Sequence, residues 1–173
     1  YSVIMRAIEN RSEYFAFDGL RETCAAGISE CMLCFPLYGG VSLLKIGIKK
    51  GCKLQSAKPY AYKDKIVFYG SSITQGGCAS YAGSDYINLL SQWLNFDYVN
   101  LGFSGSGKAE REMCEYLANL HAAAYVLDYD YNAPDAAYLA KTHYPLYESV
   151  RNKNSGAPIV FVCKPDFDYD IES

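Results

Sequence analysis

The chain has 173 residues, half of them apolar, and a formal net charge of −3. That is enough to bury the core of one domain, or of one domain and part of another, and it excludes a disordered chain. No basic stripe is available to neutralise phosphates, which excludes nucleic acid as a partner, and no apolar run approaches the ~20 residues of a membrane span.

Seven cysteines are scattered along the chain; they read as small buried hydrophobes in a reducing, cytoplasmic compartment. Cys31 and Cys34 have C-x-x-C spacing, but Glu30–Phe35 reads as a strand, where residues three apart face opposite ways. No second Cys or His pair completes a zinc site, so neither metal nor cofactor is expected. The chain begins without an initiator Met or a signal-peptide pattern, as expected of a segment from inside a longer protein.

Residues 1 to about 57 show no helical period. Short β-like runs broken by glycine occur at Glu13–Phe17, Ser29–Phe35 and Val41–Ile48, and Pro36-Leu37-Tyr38-Gly39-Gly40 is a turn signal between two of them. Three or four such strands make a poor free-standing sheet. They are read as part of a β-sandwich spanning residues 1–62. The polar, proline-bearing segment Lys58–Asp64 marks the boundary with a second domain, residues 63–173.

From Lys65 strands and helices alternate. Ile66–Tyr69 is the first strand, and Ser84 is the expected cap of a helix running to Asn95 with an apolar stripe of Tyr86, Ile87, Leu90, Trp93 and Leu94. Tyr98–Leu101 is the second strand, followed by a helix over about Ala109–Leu120 that buries Met113, Leu117 and Leu120. Ala124–Leu127 is the third strand. Asp135 caps a further helix, which Pro145 is expected to kink or restart. Ile159–Val162 is the fourth strand. This rhythm predicts an α/β fold, a parallel sheet in three layers with right-handed crossovers.

The first three strands end in chemically pointed sequences: Gly70-Ser71-Ser72, Gly102-Phe103-Ser104-Gly105-Ser106-Gly107-Lys108, and Asp128-Tyr129-Asp130-Tyr131-Asn132. In a parallel sheet these share one rim, where α/β folds bind ligands. A serine hydroxyl, a glycine-rich run of N–H groups and an asparagine amide are what acyl transfer needs, a nucleophile and donors for the oxyanion. A bare serine turn without chemistry is the alternative for Ser72. Gly102–Lys108 also fits G-x-x-x-x-G-K between a strand and a helix, a P-loop context for a nucleotide phosphate. Against it, Ala109 stands where a P-loop needs a Ser or Thr on the metal, and the Ser72 and Asn132 rims go unexplained.

The segments Ile66–Ser80, Asn100–Gly105 and Leu127–Pro134 together resemble the SGNH (GDSL-like) hydrolases, over residues 65 to about 168. The resemblance is nearest to the branch with a β-sandwich ahead of a flavodoxin-like catalytic domain, and Pro36–Ile48 resembles the end of that sandwich. It implies a serine esterase with Ser72 as nucleophile. The Ser72 N–H, the Gly105 N–H and the Asn132 amide would form the oxyanion hole. Ser71 stands in place of the family's aspartate, Tyr131 and Ala133 replace residues of its G-x-N-D motif, Lys108 becomes a surface residue and Asp128 a structural acid. The substrate class implied is a small acyl ester, including carbohydrate O-acetyl groups.

A serine also needs a base, which the family supplies as D-x-x-H after a fifth strand. Ala118 and Ala140 stand three before the two histidines, His121 and His143, so neither fits. His121 precedes the third strand, on the order of 20 Å from the rim. His143 shares apolar spacing with Leu139, Leu146 and Val150, which suits a structural role. The base pair is therefore expected beyond Ser173, leaving this chain with little turnover. A catalytically silent ligand-binding relative is the competing expectation.

Overall fold

The computed structural model describes residues 2–9, 21–23, 32–36, 38, 41–47, 51 and 55–163. The chain divides into two compact units, Tyr1–Pro59 and Tyr60–Ser173. In the first, β1 (Ser2–Glu9), β2 (Arg21–Thr23) and β3 (Val41–Gly47) form an antiparallel sheet in the order β2-β1-β3. The Val41 run is thus a strand, whereas Ser2–Glu9 is one that its mixed side chains did not announce. The expected strand over Ser29–Phe35 is not formed where it is described, since Met32–Pro36 has no regular structure. The run Glu13–Phe17, Cys31 and the glycines after Tyr38 lie outside the described residues.

The second unit carries a parallel four-stranded sheet: β4 (Ile66–Gly70), β5 (Tyr98–Gly102), β6 (Ala124–Asp128) and β7 (Ile159–Phe161) in the order β5-β4-β6-β7. Alternation along β4 sorts its side chains onto two faces. Val67 and Tyr69 join Leu117, Tyr125, Leu127, Leu146 and Val150 in one core. Phe68 packs with Ile87 and Phe96 in another. Each fully buried Val, Leu or Ile contributes about 1.5–3 kcal/mol. The arrangement is a three-layer α/β fold, as the alternating rhythm predicts.

Helix α1 (Ser72–Gln75) is a single turn following β4. Helix α2 (Tyr86–Leu94) is capped by Asp85, whose carboxylate accepts the Asn88 N–H at 3.1 Å. Ser84 is not the cap; its hydroxyl closes a local turn with Tyr81. Only the first half of the expected α2 stripe is covered. Ile87 is buried, Tyr86 and Leu90 pack beside it, and Trp93 is 73% exposed.

Helix α3 (Arg111–Asn119) buries Cys114, Leu117 and Ala118. Helix α4 (Ala136–Lys153) is capped by Asp135 and runs through Pro145 as one element, so the proline does not divide it. No helix among the described residues is long and apolar enough to cross a membrane.

Candidate active site

Register brings the three strand ends together: Gly70 of β4 lies opposite Gly102 of β5 and Asp128 of β6. Crossing hydrogen bonds tie them. The Phe103 N–H donates to the Gly70 carbonyl and the Ser71 N–H to the Asp128 carbonyl, both at 2.9 Å. Two glycines are required by this closeness. A Cβ on Gly70 would overlap the Asp128 carbonyl and the Thr74 hydroxyl, and one on Gly102 would overlap the backbone at Thr74–Gln75.

Ser72 is the first residue of α1. Ser71 caps that turn, its buried hydroxyl accepting the Ile73 N–H at 3.2 Å. Ser72 itself is half-buried. Among the described residues its hydroxyl and its N–H have no hydrogen-bond partner. An N–H at the first position of a helix has no intrahelical acceptor, so donor and hydroxyl sit side by side at the rim.

Below Ser72, Thr74 and Asp128 are both buried, and the Thr74 hydroxyl donates to the Asp128 carboxylate at 3.1 Å. Burial raises the Asp128 pKa above the usual carboxylate range, helped by the charge of Asp130, while Thr74 and Tyr86 pull it back. The buried Tyr86 hydroxyl stands close enough to Thr74 and Asp128 to influence them but makes no hydrogen bond of good geometry among the described residues, and desolvation pushes its pKa up to about 12.

Gly105 and Asn132 are also brought together, but against each other. The Gly105 N–H donates to Asn132 Oδ1 at 3.1 Å. Asn132 Nδ2 donates to the carbonyls of Phe103 and Gly107, each at 2.9 Å. A flipped amide would face its oxygen to two carbonyl oxygens, so the network sets the orientation. Asn132 is thus a clasp across the Phe103–Gly107 turn, with both amide hydrogens engaged.

The same turn excludes the P-loop. Every backbone N–H from Gly102 to Ala109 donates inside the protein: to Asn100 Oδ1, the Gly70 carbonyl, Gln75 Oε1, Asn132 Oδ1, the Phe103 carbonyl twice, Glu110 Oε2 and the Tyr69 hydroxyl. A phosphate cradle needs those groups pointing outward. The residue after Lys108 also takes a left-handed φ of 56° instead of starting a helix, and α3 begins only at Arg111. Phosphate binding at Gly102–Lys108 is therefore corrected.

Neither histidine meets Ser72. His121 is exposed after α3. His143 packs its ring against Tyr129 and Phe161, with centroids 5.1 and 4.9 Å away. Its Nε2 lies 3.1 Å from Asp130 Oδ1. The carboxylate–imidazole pair had no signal in the sequence, because it joins a rim turn to the second turn of α4 and has no fixed spacing. Among the described residues no cluster of His, Cys, Asp and Glu could hold a metal ion.

Known proteins share this outline. Residues 63–171 match the model of the GDSL-like lipase/acylhydrolase family. Among solved structures, a protein from Bacteroides ovatus ATCC 8483 named as a GDSL-like lipase is 30% identical with a TM-score of 0.73, over 92% of this chain and 50% of that one. The salicylyl-acyltransferase SsfX3 of a tetracycline biosynthetic pathway shares the fold at 15% identity and a TM-score of 0.53, over 91% of this chain and 51% of that one. The chain thus spans about half the length of each. No curated protein matches it.

Proposed function

Since the chain belongs to the GDSL-like lipase/acylhydrolase family, we propose that it is the nucleophile-bearing part of a serine esterase acting on small acyl esters, carbohydrate O-acetyl groups among them. The observation that carries this reading is the state of Ser72. Among the described residues its hydroxyl and N–H are unengaged, at a rim where the neighbouring turn has satisfied all its backbone donors. The hydroxyl attacks the ester carbonyl, and the Ser72 N–H, already free, takes the developing oxyanion.

Gly105 and Asn132 join that hole on a condition. Their N–H groups are held by neutral amide and carbonyl oxygens. An oxyanion accepts a hydrogen bond roughly twice as strongly as a neutral oxygen, so the bound intermediate draws the Gly105 N–H and one Asn132 N–H toward itself. The proton from Ser72 goes to a base that is not among the described residues.

The test is hydrolysis of p-nitrophenyl acetate by the full-length gene product. Ser72→Ala is expected to lose at least about 10³-fold in kcat/KM while keeping its melting temperature. Wild-type turnover by Ser72→Ala removes the assignment. A second reading, a ligand-binding relative without turnover, draws on the engagement of His143 with Asp130. It predicts that even the full-length protein binds esters without hydrolysing them.

A further inference from the structure

The single turn that carries Ser72 is too short to hold itself, since an isolated helical turn costs more in entropy than its hydrogen bonds return. It is suspended between its two neighbouring strands instead. From β5, Asn100 Nδ2 donates to the Thr74 carbonyl at 2.8 Å. From β6, Asp128 grips the turn twice. Its main-chain carbonyl accepts the Ser71 N–H, one residue before Ser72, and its carboxylate accepts the Thr74 hydroxyl, two residues after.

The register makes this grip possible. Gly70 and Asp128 are paired across the sheet, and the space where a side chain at position 70 would stand holds the Asp128 carbonyl and the Thr74 hydroxyl. Thr74 is 0% and Asp128 4% exposed, so water does not compete for the bond between them. An aspartate buried for packing alone would be replaced at lower cost by an apolar residue; here it has an assigned partner on the nucleophile turn.

We propose that Asp128 is a positioning residue for the nucleophile, acting through the Thr74 hydroxyl to set where the Ser72 Oγ stands relative to the ester. This rests on the reading of Ser72 as nucleophile. Asp128 touches neither substrate nor the reacting atoms. Its effect is on placement, to which turnover is steeply sensitive, a shift of about 1 Å costing on the order of 100-fold.

The experiment uses the full-length gene product, with folding of each variant checked by circular dichroism. Asp128→Ala and Thr74→Val are each expected to lower kcat about 10- to 100-fold with KM within about twofold. Asp128→Asn and Thr74→Ser keep the acceptor and the donor, and recover most of that loss. The double variant T74V/D128A is no slower than the slower single variant, because both remove one interaction.

Amide hydrogen exchange over residues 71–76 is read in parallel and needs no catalysis. It speeds up in Asp128→Ala and Thr74→Val and not in the conservative pair. Wild-type kcat in Thr74→Val, additive losses in the double variant, or unchanged exchange in Thr74→Val overturns the proposal. Thr74→Val, nearly isosteric, decides the matter if Asp128→Ala does not fold. If Ser72→Ala stays active, the esterase reading fails instead, and the exchange rates still decide whether Asp128 holds the turn.

Discussion

Two turns stand side by side on the carboxyl rim of the parallel sheet, Ser71–Gln75 after β4 and Phe103–Lys108 after β5. Only the Phe103–Lys108 turn contains glycine, and by sequence it offers a competing phosphate site, whereas the Ser71–Gln75 turn carries the expected nucleophile. The structure separates the two by the donors each leaves over. The Phe103–Lys108 turn directs every backbone N–H inward and is closed further by the Asn132 clasp. The Ser71–Gln75 turn leaves the Ser72 N–H and hydroxyl unengaged among the described residues while fixing the residues on either side of it. A site is marked less by flexible residues than by donors left over once the surrounding backbone is satisfied.

The contact between the two turns is where the comparison breaks most severely. Gly102→Ala drives a methyl group into the backbone at Thr74–Gln75. It is expected to cost at least about 4 kcal/mol, or to prevent folding, in urea unfolding. Gly105→Ala in the same turn meets open space and suffers only its left-handed φ of +67°, about 1–2 kcal/mol. Similar losses for the two would mean that close packing between the turns is not what demands Gly102.

Next in size is Asn132→Asp. A carboxylate there faces the Phe103 and Gly107 carbonyls with no hydrogen to give, and about 2–4 kcal/mol of stability is expected to go at pH 7. The loss shrinks at acid pH as the new carboxyl regains a proton to donate. A pH-independent loss would contradict the amide orientation.

A smaller effect concerns the buried acid under the open turn. The native Asp128 pKa is raised, chiefly by burial, so the folded state holds that proton more tightly than the unfolded chain. Its share of stability is present at low pH and is lost as pH climbs from about 4 through the raised value. Asp128→Asn keeps an acceptor for Thr74 and does not titrate. Its melting temperature relative to wild type is expected to rise over that window and then level off. A difference that is flat with pH would mean that Asp128 is not buried as a titrating acid.

The smallest expected effect is none. Lys108→Ala should leave ester turnover as it was, and a calorimetric titration of wild type with Mg²⁺ and ATP or GTP should give no binding heat. Nucleotide binding lost in Lys108→Ala would reopen the closed turn as a site.

The strands of the second unit were legible to within a residue, because buried parallel strands are continuous runs of β-branched and aromatic residues bounded by Gly and polar turns. Helix ends were less so. Ser84 and Asp85 are both good caps, and only the path of the chain from Gly83 decides that Asp85 meets the Asn88 N–H. Trp93 has the spacing of a core residue and is exposed, since periodicity names a face without saying how far along it the sheet extends. Ser2–Glu9 went unread because its arginine and glutamate interrupt the apolar alternation that marks a strand.

By itself the sequence determined the α/β order of the second unit and the gathering of Ser72, Gly105 and Asn132 on one rim, because strand direction and period are local properties that a parallel sheet converts into position. What only the tertiary structure decided is which donors are spent and which remain. Asn132 closing on Gly105, Thr74 held by Asp128, and His143 paired with Asp130 all join residues of different elements. Hydrogen bonds are settled by angle and distance in the folded chain, and no spacing along the chain encodes them.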